Sequence, residues 1–425
     1  MAIRMKQVIL NNVTISTTQA VTPPPTVTLT FTLDNPNAYD TSDEDYFGES
    51  VAISGNYAIV AAKEEGDATG IRSGKAYIYD VTTGALLHTL NDPNAFGTSA
   101  NDLFGSSVAI SGNYAIVGAL GEADAGGSQS GKAYIFNAVT GVLLQTLNNP
   151  NAFGTSAADY FGGSVGISGN YAIVSARGED DAGGTGSGKA YIFDVTTGAL
   201  VYTLDNPNAF STSANDLFGG SVAISGNYAI VSARGEDDAG GTGSGKAYIF
   251  DVTTGVLLHT LDNPNPGSAF NPDAFGSSVA ISGNYAIVGA VYEDDAGGTD
   301  SGKAYIFDVT TGVLLHTLDN PNAFGTSAGD YFGEDVAISG NYAIVGAYNE
   351  DDAGGTQSGK AYIFDVTTGV LLHTLDNPNA FGTSAADSFG YAVGISGNHA
   401  IVGAFEEDDA DGIDSGKAYI YQLTN

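Results

Sequence analysis

One repeat length limits what this chain can fold into. Phe-Gly pairs begin at Phe47, Phe104, Phe161, Phe218, Phe275, Phe332 and Phe389, always 57 residues apart. Ser-Gly-Asn recurs with the same step from Ser54 to Ser396, and "SGKAY" from Ser73 to Ser415. Self-similarity at a fixed period is the mark of a stacked or closed array of supersecondary units. Seven copies without an insertion imply that every unit sits in an equivalent place.

Each unit reads as four short strands. In the second copy "SSVAIS" alternates, Gly112-Asn113 turns the chain, and "YAIVGA" runs back. Glycine–asparagine pairs tolerate the positive φ of tight hairpins. "KAYIFNAV" makes a third strand rich in aromatic and branched residues, and the Thr140-Gly141 turn leads to a fourth, "VLLQTL". Four antiparallel strands per repeat predict a propeller blade. The seventh unit stops after three strands, whereas "TFTLDNPNAY" (30 to 39) lies one period ahead of "HTLNDPNAF". The expected fold is therefore an all-β, seven-bladed propeller of four-stranded antiparallel blades over 27–425, behind an extended arm at 1–26. Phe31 and Leu33 would complete the last blade beside Tyr419, sealing the ring and removing sheet edges.

"AGGTGSGKAYIF" (182 to 193) has the spacing of a phosphate-binding loop. Such a loop needs a helix after it and Ser or Thr after its lysine. Here Ala190 and a strand follow, and the slot repeats seven times, so nucleotide binding is rejected. With 48 acids against 13 Lys and Arg the net charge is −35, which disfavours nucleic acid and favours cations or basic surfaces. There is no cysteine and no membrane-length apolar run, so thiolate metal sites and membrane insertion are not expected. The first residues do not read as a secretory signal.

The unit "FGSSVAISGNYAIVGAVYEDDAGGTDSGKAYIFD" (275 to 308) resembles the FG-GAP repeat in its bacterial form, as do all seven units. The resemblance implies the seven-bladed propeller of integrin α chains, where some blades carry a calcium loop. This chain departs from that version: its first hairpin is only Gly-Asn, and the motif's proline is absent. Calcium ligands do not carry over. "AYIFDVTTGVLLHTL" also resembles quinone-cofactor propellers, but those place tryptophans between blades and this chain has none.

Repeats act as an internal control, because a catalytic residue should break the symmetry. His88, His259, His316 and His373 share a column with Phe31, Gln145 and Tyr202, which reads as an outer-strand surface position. His399 replaces a tyrosine. No Ser/His/Asp set stands apart, so an enzyme is not expected. The aspartate two before each Phe-Gly (Asp45 to Asp387) reads as a local Asx-type loop bond. Two readings of the acidic loops stand. Glu179, Asp180, Asp181, Glu236, Asp237, Asp238, Glu293, Asp294, Asp295, Glu350, Asp351, Asp352, Glu407, Asp408 and Asp409 could offer oxygens to Ca²⁺. A solvated acidic face needs no metal. The residues before these acids vary most: Lys63, Leu120, Arg177, Arg234, Val291, Tyr348 and Phe405. They fall on the face that carries both long connections, where recognition usually resides.

The arm carries two positive charges and no acid, leaving −37 for the rest. Arg4, Lys6, Val8, Leu10, Val13 and Ile15 are the expected docking residues for a partner, ahead of the stiff spacer "TPPPT" (22 to 26). The function expected is non-enzymatic: a bacteriophage virion component, docked by its arm and presenting an acidic loop face to a host-surface ligand. The alternative is a secreted or cell-surface bacterial adhesin with calcium-binding loops.

Overall fold

The computed structural model describes residues 25–36, 44–66, 71–94, 100–123, 127–150, 157–180, 184–208, 214–237, 242–265, 273–294, 298–322, 328–351, 355–379, 385–408 and 413–424. All regular structure among them is β: twenty-eight strands in seven four-stranded antiparallel sheets. The first blade runs Val51–Ser54, Tyr57–Ala62, Lys75–Asp80 and Leu86–Asn91, paired in chain order. First strands of all seven blades line a central channel whose cavity is about 400 Å³. The first and third turns of a blade touch: Val81 N donates to Asn56 O at 2.9 Å. Both short turns thus share one face of the ring, and the long connections emerge on the other.

Second and third strands are buried on both faces because they lie between blades. Each apolar cluster straddles two neighbours; Ile59, Ile78 and Leu90 of the first blade pack with Phe104, Val117 and Tyr134 of the second. Phe104 meets Tyr134 at 5.9 Å and Phe136 at 6.0 Å, and the same arrangement recurs around the ring. Burying each such side chain contributes roughly 1.5–3 kcal/mol.

Two glycine columns make this contact possible. The glycine of each Phe-Gly has φ between +88° and +99°, and a Cβ on Gly162 would lie 2.3 Å from Lys132 O of the preceding blade. The glycine of each "SGK" has φ near +80°, and a Cβ there would fall 1.9–2.1 Å from the carbonyl oxygen of the Phe in the next Phe-Gly. These glycines, which imitate a phosphate loop in the sequence, are where adjacent backbones press together.

The ring closes as the repeat count requires. Strand Thr26–Asp34 pairs with Lys417–Thr424 of the last blade, placing Phe31 opposite Ile420, Thr32 opposite Tyr419 and Leu33 opposite Ala418. Leu33 is 3 % exposed, and Phe31 packs against the first-blade core. Phe47 N donates to Ser415 O at 3.1 Å, and Gly55 N to Ser396 Oγ at 3.2 Å, across the same seam. The proposed arm residues Arg4, Lys6, Val8, Leu10, Val13 and Ile15 lie outside the described residues.

Two truncations separate arm from closing strand. Deleting residues 1–24 should leave the melting temperature nearly unchanged. Deleting 1–34 removes the ladder and the buried Leu33 and should cost more than about 5 kcal/mol, from one lost apolar anchor and a row of hydrogen bonds. Equal melting curves for the two truncated chains in calorimetry would refute the split blade.

Candidate functional site

The acidic loops are not one solvated unit. Their glutamates (Glu65, Glu122, Glu179, Glu236, Glu293, Glu350, Glu407) are at most 1 % exposed. Each accepts a hydrogen bond from the buried tyrosine twelve residues on: Tyr191 OH reaches Glu179 at 2.6 Å and Tyr419 OH reaches Glu407 at 2.6 Å. The next aspartate shapes the loop instead. Asp180 and Asp237 each accept a glycine N–H six residues on, at 2.8 Å, and Asp294, Asp351 and Asp408 each accept a backbone N–H at the matching position, at 3.0 Å. Asp181, Asp238, Asp295, Asp352 and Asp409 lie outside the described residues. A glutamate buried in the blade and bonded to a phenol, followed by an aspartate already bonded to its own turn, does not fit a calcium loop.

The lysine of "SGKAY" chooses between two carboxylates, and the fourth strand decides which. Register sets Lys75 opposite Asn91 and Lys132 opposite Asn148. These two turn inward, to Glu65 and Glu122, both at 2.5 Å. Of the five lysines that face an acid, three move outward: Lys189 to Asp205, Lys246 to Asp262 and, at 2.5 Å, Lys417 to Asp34. Lys303 and Lys360 stand between the two partners. Among the described residues, the outward choice leaves the buried Oε1 atoms of Glu179 and Glu407 without a hydrogen-bond partner. Burial then pushes these carboxyls up to about 7 and about 8, and Glu236 likewise to about 7.

Two columns differ from their sequence readings. The histidine column is a latch between blades rather than a plain surface position. His88 Nε2 donates to Val139 O at 2.9 Å, Gln145 to Thr196 O at 2.7 Å and Tyr202 OH to Thr253 O at 2.6 Å, each a carbonyl in the next blade's turn. The aspartate before each Phe-Gly does accept a side-chain bond, but from an asparagine ten residues upstream: Asn35 to Asp45 at 2.8 Å, Asn377 to Asp387 at 2.7 Å. The second blade breaks this lock. "NDPN" replaces "DNPN", so Asp92 faces Asp102, and with Glu122 their oxygens lie within 4.8 Å of one another. Lys132 already sits on this cluster, and burial, with Glu122 next, lifts Asp92 to about 8.

The departures from symmetry gather at one mouth of the channel, on the face of the long connections. The residue before each Phe-Gly (Tyr46, Leu103, Tyr160, Leu217, Ala274, Tyr331, Ser388) has φ between 53° and 58°. Bulky side chains rarely occupy that region, which costs about 1–3 kcal/mol, and its recurrence in every blade makes it part of the repeat's own geometry. Six rings run in series over four blades: Tyr292–Tyr331 at 5.7 Å, Tyr331–Tyr348 at 5.5 Å, Tyr348–Tyr391 at 5.2 Å, Tyr391–Phe405 at 4.5 Å and Phe405–Tyr46 at 5.6 Å. Below them, Glu334 is lifted to about 7 by burial and by Asp335. Asp335 replaces a serine in a column whose hydroxyls accept the next blade's Val N–H, and it keeps that role toward Val393 N at 2.7 Å. Opposite the arc stand Arg177, 5.7 Å over the Tyr160 ring, and Arg234. Sequence reasoning flagged Arg177, Arg234, Tyr348 and Phe405 as variable. It missed Tyr46, Tyr292, Tyr331 and Tyr391, whose signal was the same break of repetition in neighbouring columns.

A sequence family described as FG-GAP repeat matches residues 37–79, 95–136, 152–193, 209–250, 269–307, 323–364 and 380–421. Among curated proteins none matches the chain.

Stability should depend on pH in a definite direction. A carboxyl whose folded pKa is raised contributes stability fully present below its unfolded value near 4.5, and lost as pH rises through the folded value. With Glu179 and Glu236 near 7 and Glu407 near 8, the melting temperature should fall between pH 5 and pH 8.5. A flat or rising profile would contradict the buried ladder. Asp92→Asn restores the amide donor found in the other linkers. It should stabilise the ring by about 1–3 kcal/mol at pH 8.5 and by much less at pH 5.5, where Asp92 is already protonated.

Proposed function

The chain belongs to the FG-GAP repeat family, whose propellers are typically non-enzymatic and often serve adhesion or structure, and we propose that it is a non-catalytic binding propeller that recognises its ligand at the aromatic channel mouth. One observation carries this reading. In a ring of near-identical units, six unrepeated aromatic residues run together in one place, with Tyr391 on the wall of a cavity of about 400 Å³. Concave sites of this size with a few convergent polar groups are the usual form of small-ligand sites, and here the ring of Tyr391 stands on the wall with Glu49, Glu334 and Asp335. The unrepeated groups at the mouth are rings, guanidiniums and the Glu334–Asp335 carboxylate pair, a set suited to holding a ligand.

The arm supplies the attachment. Its two cations and lack of acids contrast with a body of −37, and its Pro-rich end sets the docking segment apart from the ring. Placed on a bacteriophage particle, such a molecule would be anchored through residues 1–24 and would turn the mouth outward to the host. The same architecture on a bacterial surface would act as an adhesin.

Replacing Tyr348 and Tyr391 together by serine should reduce binding of the purified protein to its host surface by at least about tenfold, the worth of two stacked rings. Substitutions on the opposite face, such as Thr83→Ala, should change nothing. Unaltered binding by the double variant would end the mouth assignment. Mass spectrometry of purified particles decides the setting: absence of the protein there, with presence in the cell-surface fraction, replaces the virion by the adhesin.

A further inference from the structure

Cations are scarce in this chain, and their placement is informative. Of the 13 Lys and Arg, seven are the strand lysines already described and two belong to the arm. Arg72 pairs with Glu64 at 2.9 Å. The remaining three, Lys63, Arg177 and Arg234, occupy one column of the repeat at the channel mouth. Lys63 pairs with Glu49 of its own blade. In the third and fourth blades the position matching Glu49 is Gly163 or Gly220, so no carboxylate answers the arginines there. Among the described residues neither Arg177 nor Arg234 makes an ion pair. Arg177 and Arg234 fill the same position in consecutive blades, Arg177 half-buried and Arg234 exposed, and Arg234 Cγ would lie 3.8 Å from a Cβ on the channel-lining Gly220. Burial, and next the Arg234 charge, lower the Arg177 pKa.

Two adjacent guanidiniums without a carboxylate form an incomplete arrangement. Planar guanidinium groups bind oxyanions through paired N–H donors, and they do so best where water is partly excluded. Aromatic rings flank the pair on both sides. Tyr160 lies beneath Arg177, and Tyr292, 41 % exposed, begins the arc in the blade after that of Arg234. A ligand that places a carboxylate between the arginines would lay its adjoining apolar face against such rings. A sugar ring has that face.

We propose that Arg177 and Arg234 form an oxyanion subsite at the channel mouth that takes the carboxylate of an acidic sugar. This deepens the reading of the mouth as the recognition surface and rests on it. The chain's net charge of −35 repels free anions, so a carboxylate alone should bind poorly, and the ring stacked beside it supplies the remainder. The third and fourth blades provide the charge and the fifth begins the platform. This division accounts for why "SARGEDDAGGTGSGK" recurs unchanged in two consecutive blades only, at 175–189 and 232–246.

Isothermal titration of the full chain with glucuronate, glucose, acetate and a short poly-glutamate peptide tests the proposal. Glucuronate should bind, and glucose and acetate should bind at least about tenfold more weakly, the worth of one lost charged contact. Arg234→Gln, on an exposed side chain that leaves the core untouched, should weaken glucuronate about tenfold or more. Arg177→Lys keeps the charge but loses the fork, and should also weaken it. No heat with millimolar glucuronate, or equal binding by Arg234→Gln and wild type, overturns the subsite. Poly-glutamate binding as tightly as glucuronate overturns the sugar assignment. If the tyrosine double variant loses surface binding while Arg234→Gln does not, the mouth stands and the subsite falls. If neither loses it, both fall.

Discussion

Backbone meets backbone between successive blades, and the rest of the molecule follows from that contact. The Phe-Gly glycine lies against the carbonyl of the preceding blade's lysine, and the "SGK" glycine against the following Phe, at distances where no Cβ fits. Packing this close transmits the geometry of one blade directly to the next. A unit of altered length or a bulkier residue at either glycine would tilt its neighbour and spoil closure. This gives the 57-residue step its physical meaning. The buried phenylalanine beside the glycine then fills the space between sheets, and the ring becomes a series of like interfaces.

Charge is managed inside those interfaces at some cost. Seven glutamates are buried under phenol donors, and one lysine per blade serves either the inner glutamate or an outer aspartate. A single atom difference, amide or carboxylate at the end of the fourth strand, shifts that lysine and with it the proton affinity of a residue inside the blade. A molecule with this many acids gains from neutralising some of them, so its ionic interior and its high negative charge work in one direction. The lone Asp92–Asp102 pair shows the same rule from the other side, since exchanging one Asn–Asp order leaves two acceptors facing each other.

Function in a ring of copies has to come from the copies' differences. The repeated positions hold the wheel together; those that vary in an organised way lie where the chain leaves the second strand and enters the first. Aromatic residues from four blades join there although none is near its partner in sequence. Tyr46 and Phe405 are separated by almost the whole chain and meet at 5.6 Å only because the ring closes. Two of these rings, Tyr46 and Tyr331, sit on the left-handed backbone before a Phe-Gly.

Much of this architecture was legible in the residues. Strand order, blade number and the shared last blade all follow from period and alternation, because a two-residue periodicity and a constant step leave few ways to bury the apolar face. Leu33 and Phe31 could be assigned to the closing strand from the missing fourth strand alone. What only the tertiary structure decided was the environment of the polar groups. Glu179 and Asp180 are adjacent in an acidic run, yet one is buried under a tyrosine and the other is bonded to a turn. His88 and Gln145 share a column that looks like surface, but each latches a neighbouring blade. Composition cannot distinguish a solvated carboxylate from a buried one. The difference lies in whether a donor from a distant part of the chain arrives within about 3 Å, and that is a property of the closed ring.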